Sequence, residues 1–148
     1  MEAWELGARE EIRELLASYA HGVDGGRFDD VAELFTPDGV LEVGDGQRVT
    51  GRDSIRAFLG GVDAPRGRAR PLAYIRHHVS NVVIELAGRD AALARSYFFV
   101  VTDRGPDHWG RYRDQLVIDG ARWRFARRVA RTDGTARGSW AEARDQGN

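Results

Sequence analysis

The stretch Tyr74-Ile75-Arg76-His77-His78-Val79-Ser80-Asn81-Val82-Val83-Ile84-Glu85 decides how the rest of the chain is read. Its β-branched and apolar content is that of a strand, yet it carries two adjacent histidines and an asparagine. Successive strand side chains point to opposite faces, so His77 and His78 face apart. Whichever histidine lies on the covered face needs a hydrogen-bond partner, because a buried polar group without one is costly. Parity alone does not choose between them. Val79, Asn81 and Val83 share parity with His77, whereas Val82, Ile84 and Leu86 share it with His78, and a bulge would swap the faces midway.

Outward from this strand, three more strands follow at turn-marked intervals. Ala91 to Thr102 follows Gly88-Arg89-Asp90, Trp109 to Ile118 follows Gly105-Pro106-Asp107, and Arg122 to Arg131 follows Asp119-Gly120. On the N-terminal side, Ile12, Leu15, Leu16, Tyr19 and Ala20 recur at helical spacing within Ala8 to His21 and predict an amphipathic helix stopped by Gly22. Asp24-Gly25-Gly26 reads as a turn, and Phe28 to Phe35 as a short second helix. Thr36-Pro37-Asp38-Gly39 reads as another turn. A hairpin pairs Val40–Val43 with Gln47–Thr50 around Asp45-Gly46. Asp53 is the expected N-cap of a third helix, Ser54 to Leu59, ended by Gly60-Gly61. Residues 62 to 72 form the one long loop, with Arg66, Arg68 and Arg70 on a solvated face.

Helices first and antiparallel strands after predict an α+β domain, with helices packed on one face of a curved mixed or antiparallel sheet. One domain over residues 1–131 is expected, followed by a polar tail, 132–148, in which Trp140 is the large apolar group. Net charge is −1, so no nucleic-acid or membrane partner is expected. There is no cysteine and no lysine, which excludes disulfides, thiolate chemistry and Schiff-base catalysis. No signal-peptide pattern and no span of about 20 apolar residues is present, so a cytoplasmic location is expected.

Several motifs resemble one family: Tyr19-Ala20-His21-Gly22-Val23-Asp24, His77-His78-Val79-Ser80-Asn81, Gly110-Arg111-Tyr112-Arg113-Asp114 and Asp119-Gly120-Ala121-Arg122-Trp123-Arg124-Phe125. Over roughly residues 6 to 131 the chain resembles the SnoaL-like polyketide cyclases and dehydratases of the nuclear transport factor 2-like superfamily. The resemblance implies a conical pocket open at one end. It also implies a dyad in which Asp24, at the end of the first helix, orients His77 as a base that removes a proton next to a carbonyl. A carboxylate fixes the imidazole tautomer and stabilises the imidazolium, and histidine's reference pKa of about 6.5 suits proton transfer near neutrality.

By the same resemblance, Tyr19 is the candidate acid or carbonyl-polarising group, because its spacing to Asp24 matches that of bile-acid dehydratase members. Tyr112, Asp114, His78, Asn81 and Phe98 are candidate substrate-binding residues. The two tyrosines of the scytalone dehydratase members are replaced here by Val23 and Val43. His21 reads as a helix-end residue favoured by the dipole, and His108 as a solvated turn residue.

No HxxxH or HxH spacing is present, so no metal is expected, and no cofactor. The expected activity is a dehydratase or cyclase, a lyase or isomerase acting on a small cyclic or polyketide-like substrate. The other reading is a binding protein of the same fold without chemistry. An open sheet face predicts a homo-oligomer, dimer or trimer.

Overall fold

A computed structural model describes residues 1–63 and 72–145. The elements run α1 (Ala3–Asp24), α2 (Phe28–Glu33), β1 (Phe35–Val43), β2 (Gln47–Thr50), α3 (Arg52–Asp63), β3 (Ile75–Leu86), β4 (Ala91–Thr102), β5 (Gly105–Asp119), β6 (Arg122–Thr135) and α4 (Trp140–Asp145). Six strands form one curved, unclosed sheet in the order β2-β1-β6-β5-β4-β3. All neighbours are antiparallel except β1 and β6, which run parallel. α1 lies against the concave face, where Ile12, Leu16, Val31, Phe35, Leu41, Ile55, Leu116 and Phe125 form the centre of the core.

Several elements are longer than the turn signals suggest. α1 does not stop at Gly22 but continues to Asp24. Gly22 serves a close approach instead: a Cβ there would lie 2.6 Å from Val31 Cγ2 on α2. Thr36-Pro37-Asp38-Gly39 is an irregular part of β1, marked by a register shift between Phe35 and Val40 where β1 meets β6. α3 runs through Gly60-Gly61 to Asp63, and Asp53 sits in its first turn rather than at its cap. Residues 64–71, which include Arg66, Arg68 and Arg70, lie outside the described residues.

The polar tail is also corrected. β6 continues to Thr135, and α4 then docks back on the domain with Trp140 and Ala141 buried. The anchor is Asp107 of β5. Its Oδ1 accepts the Trp140 backbone N–H at 2.8 Å, and its Oδ2 accepts that of Ala141 at 3.3 Å. A carboxylate in this position satisfies amides that the first helical turn leaves without intrahelical partners. Among the described residues no helix is long and apolar enough to cross a membrane.

The histidine strand contains the bulge that its mixed parity permits. The β3–β4 register shifts between Ser80 and Val83, and Asn81 adopts φ 53°, the left-handed conformation that asparagine tolerates better than most side chains. Before the bulge, Ile75, His77 and Val79 are the more covered residues; after it, Val82, Ile84 and Leu86 are. The bulge therefore lets His77 and Ile84 face the same interior although their numbers differ in parity.

Candidate active site

β3 is the edge strand of the sheet, and edge strands leave alternate N–H groups without a sheet partner. At His77 the last residue of α1 fills that role. Asp24 Oδ2 accepts the His77 backbone N–H at 2.9 Å, while Asp24 Oδ1 lies 2.6 Å from His77 Nδ1. The carboxylate thus grips both the backbone and the ring of one residue. Both side chains are largely covered, with 13% of His77 and 10% of Asp24 exposed. With Nδ1–H given to Asp24, Nε2 keeps its lone pair and is free to accept a proton.

Other predicted site residues divide between the two sheet faces. Phe98, Tyr112, Asp114 and Tyr19 are buried on the interior side. His78 and Asn81 do not join them: both are exposed, His78 on the opposite face and Asn81 at the bulge. The reason is the strand pleat, which sends His78 outward as soon as His77 is inward.

Tyr19 and Tyr112 meet edge to face, ring centroids 6.1 Å apart, and Phe98 stacks at a tilt on Tyr112 at 4.7 Å. Burial pushes both phenols above their ordinary pKa, so both hold their protons and act as neutral O–H donors. The nearby Asp24 carboxylate adds to the rise at Tyr112, which places that phenol within electrostatic reach of the dyad. Tyr19 packs against Phe35, Phe125 and Tyr112.

Two residues of this interior were not anticipated. Arg128 on β6 is fully buried. Its Nε and Nη2 each donate to Asp114 at 2.8 Å, and its guanidinium lies over Tyr19, Tyr112 and Phe125 at 4.2, 3.9 and 4.4 Å. Burial disfavours its charge, but Asp114 and its two hydrogen bonds more than offset this and hold the group cationic. The sequence signal was weak, because the Trp123/Phe125 alternation breaks at Ala126 before Arg128 rejoins the inner face.

His108, expected in solvent, is buried. Its Nδ1 lies 2.7 Å from Asp107 Oδ2, and its ring stands edge to face with His77, centroids 6.2 Å apart at 85°. A usable signal existed here, since His108 shares parity with Gly110, Tyr112, Asp114 and Leu116, all inward. Among the described residues no group of three or more His, Cys, Asp or Glu is placed to hold a metal.

Two surface hollows lie elsewhere. One, of about 640 Å³, is on the outer sheet face beside Arg111, Arg113 and Arg131, and the other, of about 570 Å³, is beside His21 and Arg27 on the helical side. Neither includes Asp24 or His77.

With this geometry in view, the comparisons with known proteins are informative. The family model described as SnoaL-like domain matches residues 4–129. The chain belongs to the SnoaL-like domain family. Among solved structures, a putative scytalone dehydratase from Novosphingobium aromaticivorans is 25% identical, with TM-score 0.80 over 92% of this chain and 91% of that one. A protein from Catenulispora acidiphila, solved in complex with S-DNPA, is 27% identical, with TM-score 0.75 over 86% of this chain and 95% of that one. ActVI-ORFA of Streptomyces coelicolor shares the fold at 24% identity, with TM-score 0.72 over 86% of this chain and 98% of that one. No curated protein matches the sequence. Solved relatives are also described as NTF2-like with a cystatin-like fold, and this SnoaL-like chain has that architecture, with N-terminal helices over a curved, mostly antiparallel sheet.

Proposed function

We propose that the protein is a dehydratase or cyclase that begins its reaction by removing a proton from a carbon next to a carbonyl, with His77 as the base and Asp24 as its orienting partner. The observation that carries this reading is the double grip of Asp24 on His77, at 2.6 Å to the ring and 2.9 Å to the backbone. A carboxylate held that way cannot rotate off the imidazole without also abandoning a backbone N–H, so the tautomer with a free Nε2 is locked in. A neutral phenol beside the dyad supplies a donor for the carbonyl. Tyr112, with Tyr19 behind it, donates to the substrate carbonyl as negative charge builds on its oxygen. Asp114 is already bound twice by Arg128, so its contribution is to hold Arg128 and the two phenols in register. Phe98 supplies an apolar wall suited to a flat ring.

The substrate class follows from the same features and from the relatives. The interior is aromatic, its charges are paired, and the Catenulispora acidiphila relative is solved in complex with S-DNPA. A small cyclic or polyketide-like ketone fits this lining. Elimination and aldol cyclisation share their first proton transfer, and the dyad serves either.

The test is turnover of β-hydroxy-ketone and poly-β-ketone aromatic compounds by wild type, His77→Ala, Asp24→Asn and His78→Ala. His77→Ala and Asp24→Asn are expected to lose about 10²–10⁴-fold in kcat while still binding. His78→Ala, altered on the outer face, is expected to match wild type. Binding of the panel without any turnover in wild type would overturn the catalytic reading in favour of a binding protein.

A further inference from the structure

The dyad and its phenols leave one requirement of an elimination unmet. A hydroxide leaves a carbon readily only if a proton reaches it as the C–O bond breaks, and phenols whose pKa is raised by burial give up protons reluctantly. The interior holds a second imidazole that none of these roles uses. Resting on the proton-abstraction reading above, we infer that His108, held by Asp107, is the acid that protonates the departing oxygen while His77 takes the carbon-bound proton.

The arrangement around His108 repeats that around His77. Each ring presents Nδ1 to a covered aspartate, at 2.7 Å and 2.6 Å respectively, and each aspartate also accepts backbone N–H groups. Asp107 is 1% exposed and ties His108 to the first turn of α4. The two imidazoles stand edge to face at 6.2 Å between centroids, and Phe98 borders His108 at 5.9 Å. A substrate ring beside His108 would border both Phe98 and His77. Capping of α4 alone accounts for Asp107 but does not require a histidine beside it on the inner face.

The step balances. The C–H electron pair becomes the new C=C bond, and the C–O bond breaks with its pair on oxygen. That oxygen takes the Nε2 proton of His108, which enters the step as the imidazolium paired with the Asp107 carboxylate and ends neutral, and leaves as water. His77 ends one proton richer and His108 one poorer, and transfer between the neighbouring rings, directly or through one water, restores both.

The experiment compares 3-hydroxy-1-tetralone, whose leaving group needs a proton, with 3-acetoxy-1-tetralone, whose acetate departs without one. It uses wild type, His77→Ala and His108→Asn, the last keeping a donor for Asp107. Deuterium exchange at C2 of 1-tetralone, read by NMR, isolates the proton-abstraction half. His108→Asn is expected to lose about 10²-fold on the hydroxy compound, keep the acetoxy rate within about threefold and keep the exchange, whereas His77→Ala loses all three. Equal losses on both leaving groups, or none on the hydroxy compound, would overturn the role of His108 while leaving His77 in place. Absence of exchange and elimination in wild type would overturn the base reading itself, and this inference with it.

Discussion

At the scale of single residues, the interior is governed by charges that water cannot reach. Arg128 and Asp114 are both fully covered and bind each other twice. Removing one partner of such a pair strands the other in a medium that solvates it poorly. Asp114→Ala is therefore expected to destabilise the protein by about 3–5 kcal/mol in urea unfolding, and Asp114→Leu combined with Arg128→Met to recover most of that loss. Additive losses in the double variant would mean that the pair is not the unit described. Legibility at this scale was uneven. Asp24 and His77 were nameable because a family pattern joins them. Arg128 was not, because a charged residue on a strand normally marks the wet face, and its burial depends on a partner 14 positions away.

At the scale of elements, the bulge in β3 decides which histidine faces the interior. Asn81 takes a left-handed conformation there, which a β-branched side chain resists. Asn81→Val is expected to cost about 1–2 kcal/mol, and Asn81→Gly to be tolerated, as thermal unfolding of the two variants would show. If both variants melt like wild type, the bulge is not held by this backbone conformation. The mixed parity of the strand was visible in the sequence, but the position of the swap was not. It is set by the pairing of both halves of β3 with one continuous β4. The same holds for α4, whose six residues are too few to hold a helix on their own and order on the carboxylate of Asp107.

At the scale of the whole molecule, two properties follow from the outer sheet face. Glu42 binds Arg127 and Arg131 there at 2.5 Å each, and these hydrogen bonds lower its pKa from 4.5 to about 2. A carboxylate with a depressed folded pKa contributes stability that is complete above its unfolded value and disappears as pH falls through its folded value. The wild-type protein is thus expected to lose stability between about pH 4.5 and pH 2 through this group, and Glu42→Gln to show a flatter acid limb in pH-dependent melts. An unchanged acid limb in that variant would remove Glu42 from the account.

The same face exposes Tyr97, Phe99 and Trp109 on the paired strands β4 and β5, with Phe99 directly opposite Trp109. Large apolar side chains clustered on a sheet face suit self-association. Dimers or trimers are expected for wild type in sedimentation, and monomers for the double variant Tyr97→Glu, Phe99→Glu. A monomeric wild type would refute this.

What the sequence determined by itself was local or compositional: the periodicity of α1, the strand succession, the exclusion of thiol and lysine chemistry, and the α+β class. These depend on spacing and residue type within a few turns or strands, where side-chain geometry is fixed by the backbone period. Only the tertiary structure decided which histidine turns inward, that His108 and Arg128 are buried, and that the tail docks. Three of those outcomes depend on a partner 14 or more positions away: Asp24 for His77, Asp114 for Arg128 and Trp140 for Asp107; His108 pairs with the adjacent Asp107 and goes inward with the strand pleat. For those three, the energy that tolerates a buried polar group comes from the distant partner and not from neighbours in sequence.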